Sequence, residues 1–245
     1  YYRVSGALTL LQYTHSATHI QEMLVEKLVP RVLEDLPTVP FGVFEQSLRL
    51  LHWCEMAVGE EAESAAESEK NKKIWNQIAG VVRQREDEIG NRITSMVQAF
   101  SILAHYVPEH EVVRDLCDTL FQGIAHLPPF ELSTFAVAVE VYGRATFEQI
   151  KELIGRYSTK VRSNSAEDLK RAFPAIARIA LAPQQNNTPL TPNEMSEIRD
   201  LMQVVLDESE SQICSFMDSN FRQAYVGKNP EDVARIVFAY ESFGR

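Results

Sequence analysis

Two pairs of side chains in this sequence have the types and spacings to be considered for metal binding or nucleophilic catalysis. His15 and His19 are four residues apart in HSATH, and two imidazoles on one helix face can bind zinc. The stretch lacks the glutamate of an HExxH site and an evident third ligand, which favours two surface or interface histidines. His52 and Cys54 flank Trp53, but close neighbours along a helix point in different directions, so a nucleophile–base pair is not predicted. Trp53 is expected to be a packing anchor.

The rest of the sequence carries no familiar catalytic motif. It contains no glycine-rich phosphate loop, no GxSxG nucleophile elbow and no CxxC pair. Its carboxylates occur in runs that are typical of solvated helix faces. The sequence therefore predicts a protein that is not an enzyme and that holds no metal, cofactor or small-molecule substrate.

Positive charge is concentrated in the basic segment, residues 144–178. The segment has eight cations and four carboxylates, a net charge of +4 in a chain whose formal net charge is −10. Tyr157 lies among these cations, where an aromatic ring can stack on a nucleobase. The cations are Arg144, Lys151, Arg156, Lys160, Arg162, Lys170, Arg171 and Arg178.

Three interpretations of the basic segment stay open at this point. The first is a solvated helix pair with short-range ion pairs, such as Glu148 with Lys151. The second is contact with RNA phosphates, and the third is docking of an acidic protein partner. Convergence of the cations on one surface would favour RNA, whereas scatter would favour a scaffold. The predicted contact residues are Arg144, Arg156, Tyr157, Lys160, Arg162 and Arg171.

The elements that must position these residues are visible as a repeated helical pattern. In NPEDVARIVFAYESFG, residues 229–244, apolar side chains follow Val233 at offsets +3, +4, +7 and +10, the spacing of one helix face. The same template fits segments that begin at Ile93, Leu132 and Leu169. Each copy has glycine or alanine at +11 and alanine at +6, namely Ala99, Ala138, Ala175 and Ala239.

Alanine at one fixed offset predicts a close helix crossing, because a small side chain lets a neighbouring helix approach. We call the helices of this template the A helices. Weaker copies begin at Val4 and Phe44, with Leu10 and Leu50 in place of the alanine. Second amphipathic helices, the B helices, are predicted at 19–36, 74–89, 111–127 and 147–161. Helix pairs repeated about every 35–45 residues predict an all-α fold, a curved α-solenoid of armadillo/HEAT-like or octatricopeptide-like repeats.

The predicted organisation is a single helical-repeat domain over 1–245. It has weaker repeats at 1–58, an acidic insertion at 59–70, clear repeats at 72–181, a Pro/Asn/Gln-rich loop at 182–194 and C-terminal helices at 195–245. The tract from 194 to 225 is expected to hold two helices, and Pro174 is expected to kink or shorten its helix. An A helix without a B partner ends the chain, so Val233, Val237 and Tyr240 are predicted to form a partner interface.

Composition limits the functional classes. With 245 residues, 45% of them hydrophobic, the chain can bury a sizeable core, and no apolar run reaches the ~18–20 residues that span a membrane. The net charge of −10 argues against a whole-surface nucleic-acid binder. The three cysteines, Cys54, Cys117 and Cys214, are far apart and are expected to be reduced, buried thiols of an intracellular protein.

The segments NPEDVARIVFAYESFG and SAEDLKRAFPAIARIAL resemble helices of organellar helical-repeat proteins. These include octatricopeptide-like repeats, the repeats of FAST-kinase-like and RAP-containing mitochondrial proteins, and armadillo/HEAT-like subunits of mitochondrial RNA-processing complexes. The resemblance covers roughly residues 91–181 and 229–245. It implies a protein of the mitochondrial matrix that acts in RNA processing, RNA editing or translation.

Together, these features predict a non-catalytic scaffold subunit of a mitochondrial ribonucleoprotein, bound to other protein subunits. One alternative is a direct single-stranded RNA-binding module that uses the basic segment. The other is a general protein–protein interaction adaptor without a link to RNA. The acidity of the chain favours the scaffold over direct, sequence-specific RNA reading.

Overall fold

The computed structural model describes the backbone of residues 30–58, 65–163, 166–181 and 190–225, and positions 234, 237, 238 and 241. Side-chain surroundings are described over 30–52, 72–162, 171–181 and 190–210 and at the same four positions. Every regular element in these ranges is helical, which confirms the predicted all-α class. The helices group into two compact units, Tyr1–Leu116 and Cys117–Arg245, while the single repeat domain stays a prediction.

The described part of the first unit is organised around helix α4. This helix packs against α1, α2 and α3, and the large side chains of Phe44, Trp75 and Phe100 are buried in the core. A helical stretch at 30–35 precedes α1, and the first turns of α5 close the unit. The helices are α1 (Phe41–Val58), α2 (Ala65–Gln84), α3 (Glu86–Gly90), α4 (Ile93–Tyr106) and α5 (Glu111–Gln122).

Helices α1 and α4 run in the same direction. Near their starts, the Ser95 hydroxyl donates a hydrogen bond to the Glu45 carboxylate. Further along both helices, His52 Nδ1 lies 2.9 Å from the Tyr106 hydroxyl oxygen. Since the two contacts join like ends, the helices lie parallel. These helices are the A helices predicted from Phe44 and Ile93, so like helices contact each other here.

Arg85 fixes the break between α2 and α3. Its side chain is only 8% exposed, and its Nη1 group donates to the Val39 carbonyl at 2.8 Å. The guanidinium also binds Glu88 through two hydrogen bonds and lies 4.6 Å from the centre of the Phe44 ring. The arginine thus ties the turn before α1 to the helix break, and the predicted B helix at 74–89 is two helices.

The second unit comprises the end of α5 and four helices with two short 3₁₀ turns, within its described residues. Helix α9 is continuous, so the prediction of two helices in this tract is wrong; the tract has no glycine or proline after residue 192 to interrupt it. Helix α8 continues through Pro174. The elements are Ile124–His126, α6 (Pro129–Tyr142), α7 (Phe147–Lys160), Val161–Ser163, α8 (Ala166–Leu181) and α9 (Pro192–Tyr225).

The ends of these helices follow from local chemistry. Thr146 and Gln149 form a reciprocal capping box at the start of α7, with hydrogen bonds of 3.3 and 2.9 Å. Thr191 and Glu194 make the same arrangement at the start of α9, which therefore begins before the predicted 195. Gly143 ends α6 with a φ of 63°, the left-handed conformation that glycine adopts without strain.

Alternate helices along the chain contact each other in the second unit, and α6 and α8 are both A helices. Helix α6 packs extensively against α8, and α7 packs against α9. Lys151 binds Glu197 at 2.5 Å, and Arg162, just after α7, binds Glu208. Both pairs join residues 46 positions apart, and they lie eleven residues or about 16 Å of helix apart. Helices α7 and α9 are therefore parallel and in register.

The repeat alanines that the structure describes are buried. Ala99, Ala138 and Ala175 are each at most 1% exposed, and Leu50, at the same offset in α1, is 1% exposed. Ala99 lines a small cavity together with side chains of α1, which places it on the face of α4 that meets α1. The fourth alanine, Ala239, lies outside the described residues, as does the weak copy that begins at residue 4.

Candidate functional site

Three cations of the basic segment bind carboxylates of neighbouring helices. These hydrogen bonds raise the pKa of Lys151 and of Arg178 above their ordinary values. All three carboxylates lie outside the segment, so its net charge of +4 falls to +1 once they are counted. The segment therefore offers less net positive charge to a nucleic acid than its sequence indicates. The pairs are Lys151–Glu197, Arg162–Glu208 and Arg178–Glu140.

Two further predicted contact residues serve the packing of α7. Lys160 Nζ donates a hydrogen bond of 2.6 Å to the Leu127 carbonyl and so ties the end of α7 to the turn before α6. Tyr157 is 0% exposed and belongs to the core. The prediction that Tyr157 stacks on a nucleobase is wrong, because neither face of its ring is open to a ligand.

The remaining cations of the prediction are exposed but differ in their surroundings. Arg156 shares one exposed face of α7 with Glu148 and Glu152, which oppose its charge. Arg171 is exposed on α8, and Arg144 is exposed after the end of α6. Of the predicted group of Arg156, Lys160 and Arg171, Lys160 is half-buried, whereas both arginines are exposed.

The predicted C-terminal interface is only partly described. Val237 is half-buried, and the neighbouring Phe238 is 62% exposed. Val233 and Tyr240 lie outside the described residues, so this interface stays a prediction.

Helix α6 exposes an apolar face that the sequence patterns did not indicate. Phe130 is 55% exposed and Val141 is 45% exposed, and the half-buried Thr134 and Val137 lie between them on the same face. The Thr134 hydroxyl donates to the Phe130 carbonyl at 3.1 Å, so its polar group is satisfied within the helix. We call these four residues the α6 stripe.

The rest of α6 is largely covered, and its sequence carries the available signal. In PFELSTFAVAVEVY apolar side chains occur on every face, which is typical of a helix covered on all sides. Its buried residues are Leu132, Ser133, Phe135, Ala136, Ala138, Val139 and Tyr142. Because Phe130 and Val141 of this helix are exposed to solvent, their face of α6 is a candidate for contact with another molecule.

An aromatic cluster joins three helices of the first unit. Trp75 of α2 stacks on Tyr106 of α4, with ring centres 3.9 Å apart, and the His52 ring of α1 meets Tyr106 edge-on. His105 lies 6.1 Å from His52 between ring centres. Burial, and then the charge of His105, lower the pKa of His52. His52 is thus engaged with Tyr106, and the side chain of Cys54 lies outside the described residues.

Cys117 is an inert thiol. It is 1% exposed and forms no disulfide, and burial followed by the nearby Asp118 raises its pKa to about 12. A buried thiol with so high a pKa is almost wholly protonated at neutral pH and is therefore a poor nucleophile. The prediction of a buried free cysteine is confirmed at this position.

Two cavities of the first unit are each about 10 Å³, room for one water molecule. Over the described ranges, no three or more His, Cys, Asp or Glu side chains group to hold a metal ion. His15 and His19 lie outside these ranges. None of the helices in the described part of the chain has the length and hydrophobicity to cross a membrane.

Comparisons with known proteins identify no similar protein. No protein-family model matches the chain, and searches of curated proteins and of solved structures find no match. The contacts of the chain itself are therefore the basis for assigning a function.

Proposed function

We propose that this chain is a non-catalytic helical-repeat scaffold that stacks its helix pairs as an α-solenoid and binds other proteins. The observation that carries the proposal is the contact of A helices within each unit, α1 with α4 and α6 with α8, together with the parallel contact of α7 with α9. A stack of repeats places each helix beside its counterpart in the next repeat, and the two run in the same direction. An up-down helix bundle would instead pair antiparallel neighbours.

The contacts of the basic segment favour a protein partner over RNA. Three of its cations hold helices together, and Tyr157 belongs to the core. The chain as a whole carries a net charge of −10, which repels a nucleic-acid strand at long range. The exposed α6 stripe, by contrast, is the type of apolar surface that proteins bind.

The cellular setting is the narrower part of the proposal. The resemblance of the A helices to organellar repeat proteins supports a place in a mitochondrial ribonucleoprotein that processes, edits or translates RNA. A general adaptor without RNA is the alternative. Detection of the endogenous protein in a protease-protected matrix fraction supports the mitochondrial setting, and its absence from mitochondria would remove it.

The test of the scaffold is affinity purification of the tagged protein with and without ribonuclease. A scaffold retains the same protein partners after the RNA is digested. Loss of every partner on digestion would refute the proposal, because the partners would then be held through RNA.

The second candidate function is direct RNA binding, and the exposed Arg156 and Arg171 are the observation that favours it. A titration of the purified chain with single-stranded RNA at several salt concentrations tests it. Two phosphate contacts, from Arg156 and Arg171, predict a slope of log K against log salt of about −1.4 (roughly −0.7 per contact). Changing both arginines to alanine would then remove most of that slope, whereas the control Arg199→Ala on α9 would not. The scaffold proposal expects no binding near physiological salt.

A further inference from the structure

Two histidines meet at the contact between α1 and α4. His52, in the second half of α1, and His105, in the last turn of α4, have ring centres 6.1 Å apart. Zinc–imidazole bonds of about 2.0 Å place the ring centres of two histidines on one ion roughly 5–6 Å apart. A small rotation of the His105 side chain, which is exposed, brings the pair into that range. The two rings are therefore spaced to bind one metal ion.

Hydrogen bonding decides which nitrogen of His52 is available to a ligand. The Tyr106 hydroxyl donates to the His52 carbonyl at 3.3 Å, and its oxygen lies 2.9 Å from His52 Nδ1. A phenol has a single proton, so both contacts are hydrogen bonds only when Nδ1 carries a hydrogen. The other nitrogen, Nε2, then has the lone pair that a metal ion needs. Metal-binding histidines commonly donate their second ring nitrogen in this way, because the hydrogen bond fixes the tautomer and the orientation of the ring.

Tyr106 is itself held in place by the core of the first unit. Its ring stacks on Trp75 of α2, which is 2% exposed. The same tyrosine ring meets both histidines edge-on, with centres 5.5 Å from His52 and 4.7 Å from His105. One anchored tyrosine thus contacts both imidazoles. An ion that binds them therefore requires little rearrangement, which is one of the costs that oppose binding.

The end of α4 favours a cation at this position. The last turn of a helix carries partial negative charge on its free carbonyl groups, and His105 lies in that turn. Helix α4 contains no lysine or arginine that would offset this charge. Imidazole is a ligand of zinc, copper and nickel ions, whereas Mg²⁺ and Ca²⁺ prefer oxygen. The two histidines therefore select a transition-metal ion.

We propose that His52 and His105 bind one Zn²⁺ ion, which His52 coordinates through Nε2. Zinc is four-coordinate in most protein sites, so water takes the remaining positions. The ion joins α1 to α4, and because it binds the folded chain it stabilises their contact. The proposal is independent of the scaffold function above, since it concerns a contact within the first unit.

Titration of the full chain with zinc, followed by calorimetry and by the melting temperature, tests the proposal. We expect a melting temperature that rises with the zinc concentration and that Mg²⁺ leaves unchanged. Tyr106→Phe keeps the ring that stacks on Trp75 but removes the hydroxyl, and it is expected to weaken zinc binding about tenfold. His105→Gln removes one of the two ligands at an exposed position, and its effect is expected to be larger than that of Tyr106→Phe.

The matched control is His126→Gln in the 3₁₀ turn of the second unit. His126 is exposed as His105 is, so the same substitution removes an imidazole away from the pair. This variant is expected to bind zinc as the unchanged chain does. A second control, His15→Gln with His19→Gln, removes the other histidine pair of the sequence and is expected to leave the zinc site in place. Circular dichroism and zinc-free melting temperatures establish that all variants are folded.

Three results of the titrations would overturn the proposal. They are the absence of zinc binding, equal binding by the His105→Gln variant, and loss of all binding when His15 and His19 are replaced. Nitrogen-15 spectra of the histidine rings give a further test that a purely structural role of His52 would not satisfy. We expect a hydrogen on His52 Nδ1 without zinc and a shift of Nε2 when zinc is added, whereas a hydrogen on Nε2 in both states would refute the assignment.

Discussion

Replacing Ala138 by leucine tests whether the repeat alanine marks a close helix crossing. Ala138 is 1% exposed on α6, the helix that packs extensively against α8. Leucine adds three carbon atoms at a point already closed to solvent, so the neighbouring side chains must leave their preferred rotamers or the helices must separate. Overpacking of this kind costs about 1–3 kcal/mol of unfolding free energy.

An alanine shortly before the same helix supplies the control. Ala125 lies in the 3₁₀ turn Ile124–His126 of the second unit and is exposed, so Ala125→Leu makes the same chemical change without a crossing helix. We expect its effect to stay within about 0.5 kcal/mol. Urea unfolding followed by circular dichroism measures both variants. For a chain of this size, about 2–4 °C per kcal/mol gives a melting temperature roughly 2–12 °C lower for Ala138→Leu.

Equal stability of the two variants would refute the reasoning. A more stable Ala138→Leu variant would do so as well, since it would mean that leucine fills unused space. In either case the alanine at +6 would not mark a helix crossing, since alanine is common in all helices, and the repeat template would lose its physical basis. Ala175→Leu on α8 is expected to behave like Ala138→Leu, because Ala175 is 0% exposed.

Three further predictions concern single contacts. Acid should destabilise the protein, because the pKa of His52 is lowered in the folded state and the unfolded state therefore binds the proton more tightly. The contribution of neutral His52 to the unfolding free energy is complete above about pH 6.5 and is lost as the pH falls below that value. Melting temperatures from pH 8 to 5 should show a smaller decline for His52→Asn, and identical declines would contradict the assignment. Lys151→Glu should destabilise the α7–α9 contact, and adding Glu197→Lys should restore it; a double variant no more stable than the single one would contradict the parallel register. Cys117 should escape iodoacetamide at pH 8 until the chain is unfolded in urea, as judged by mass spectrometry of its peptide, and equal labelling in both states would refute its burial.

Much of the helical architecture could be predicted because it is local. Apolar spacing in the template identified α4, α6 and α8, and the small residues at +6 and +11 were found buried or, at Gly143, in a left-handed cap. Each feature depends on residues within three or four positions of one another, which is the range of helix periodicity and capping. The length of α9 escaped prediction, because its apolar spacing permits either one helix or two.

The candidate site depended on contacts between residues distant in sequence. Nothing within a few residues of Lys151 or Arg178 identifies the carboxylates that neutralise them, which lie 46 and 38 positions away. Tyr157 lies among cations in the sequence but is buried in the core, on the same helix face as Ile150, Leu153 and Ile154. His52 meets Tyr106, which lies 54 residues away. Periodicity states which residues share a helix face, but only the packing of helices decides which face is covered. For this reason the sequence by itself determined the all-α class and the A helices. The tertiary structure decided that four of the eight cations of the basic segment, Lys151, Lys160, Arg162 and Arg178, bind groups of neighbouring elements, and that α6 leaves an apolar stripe exposed.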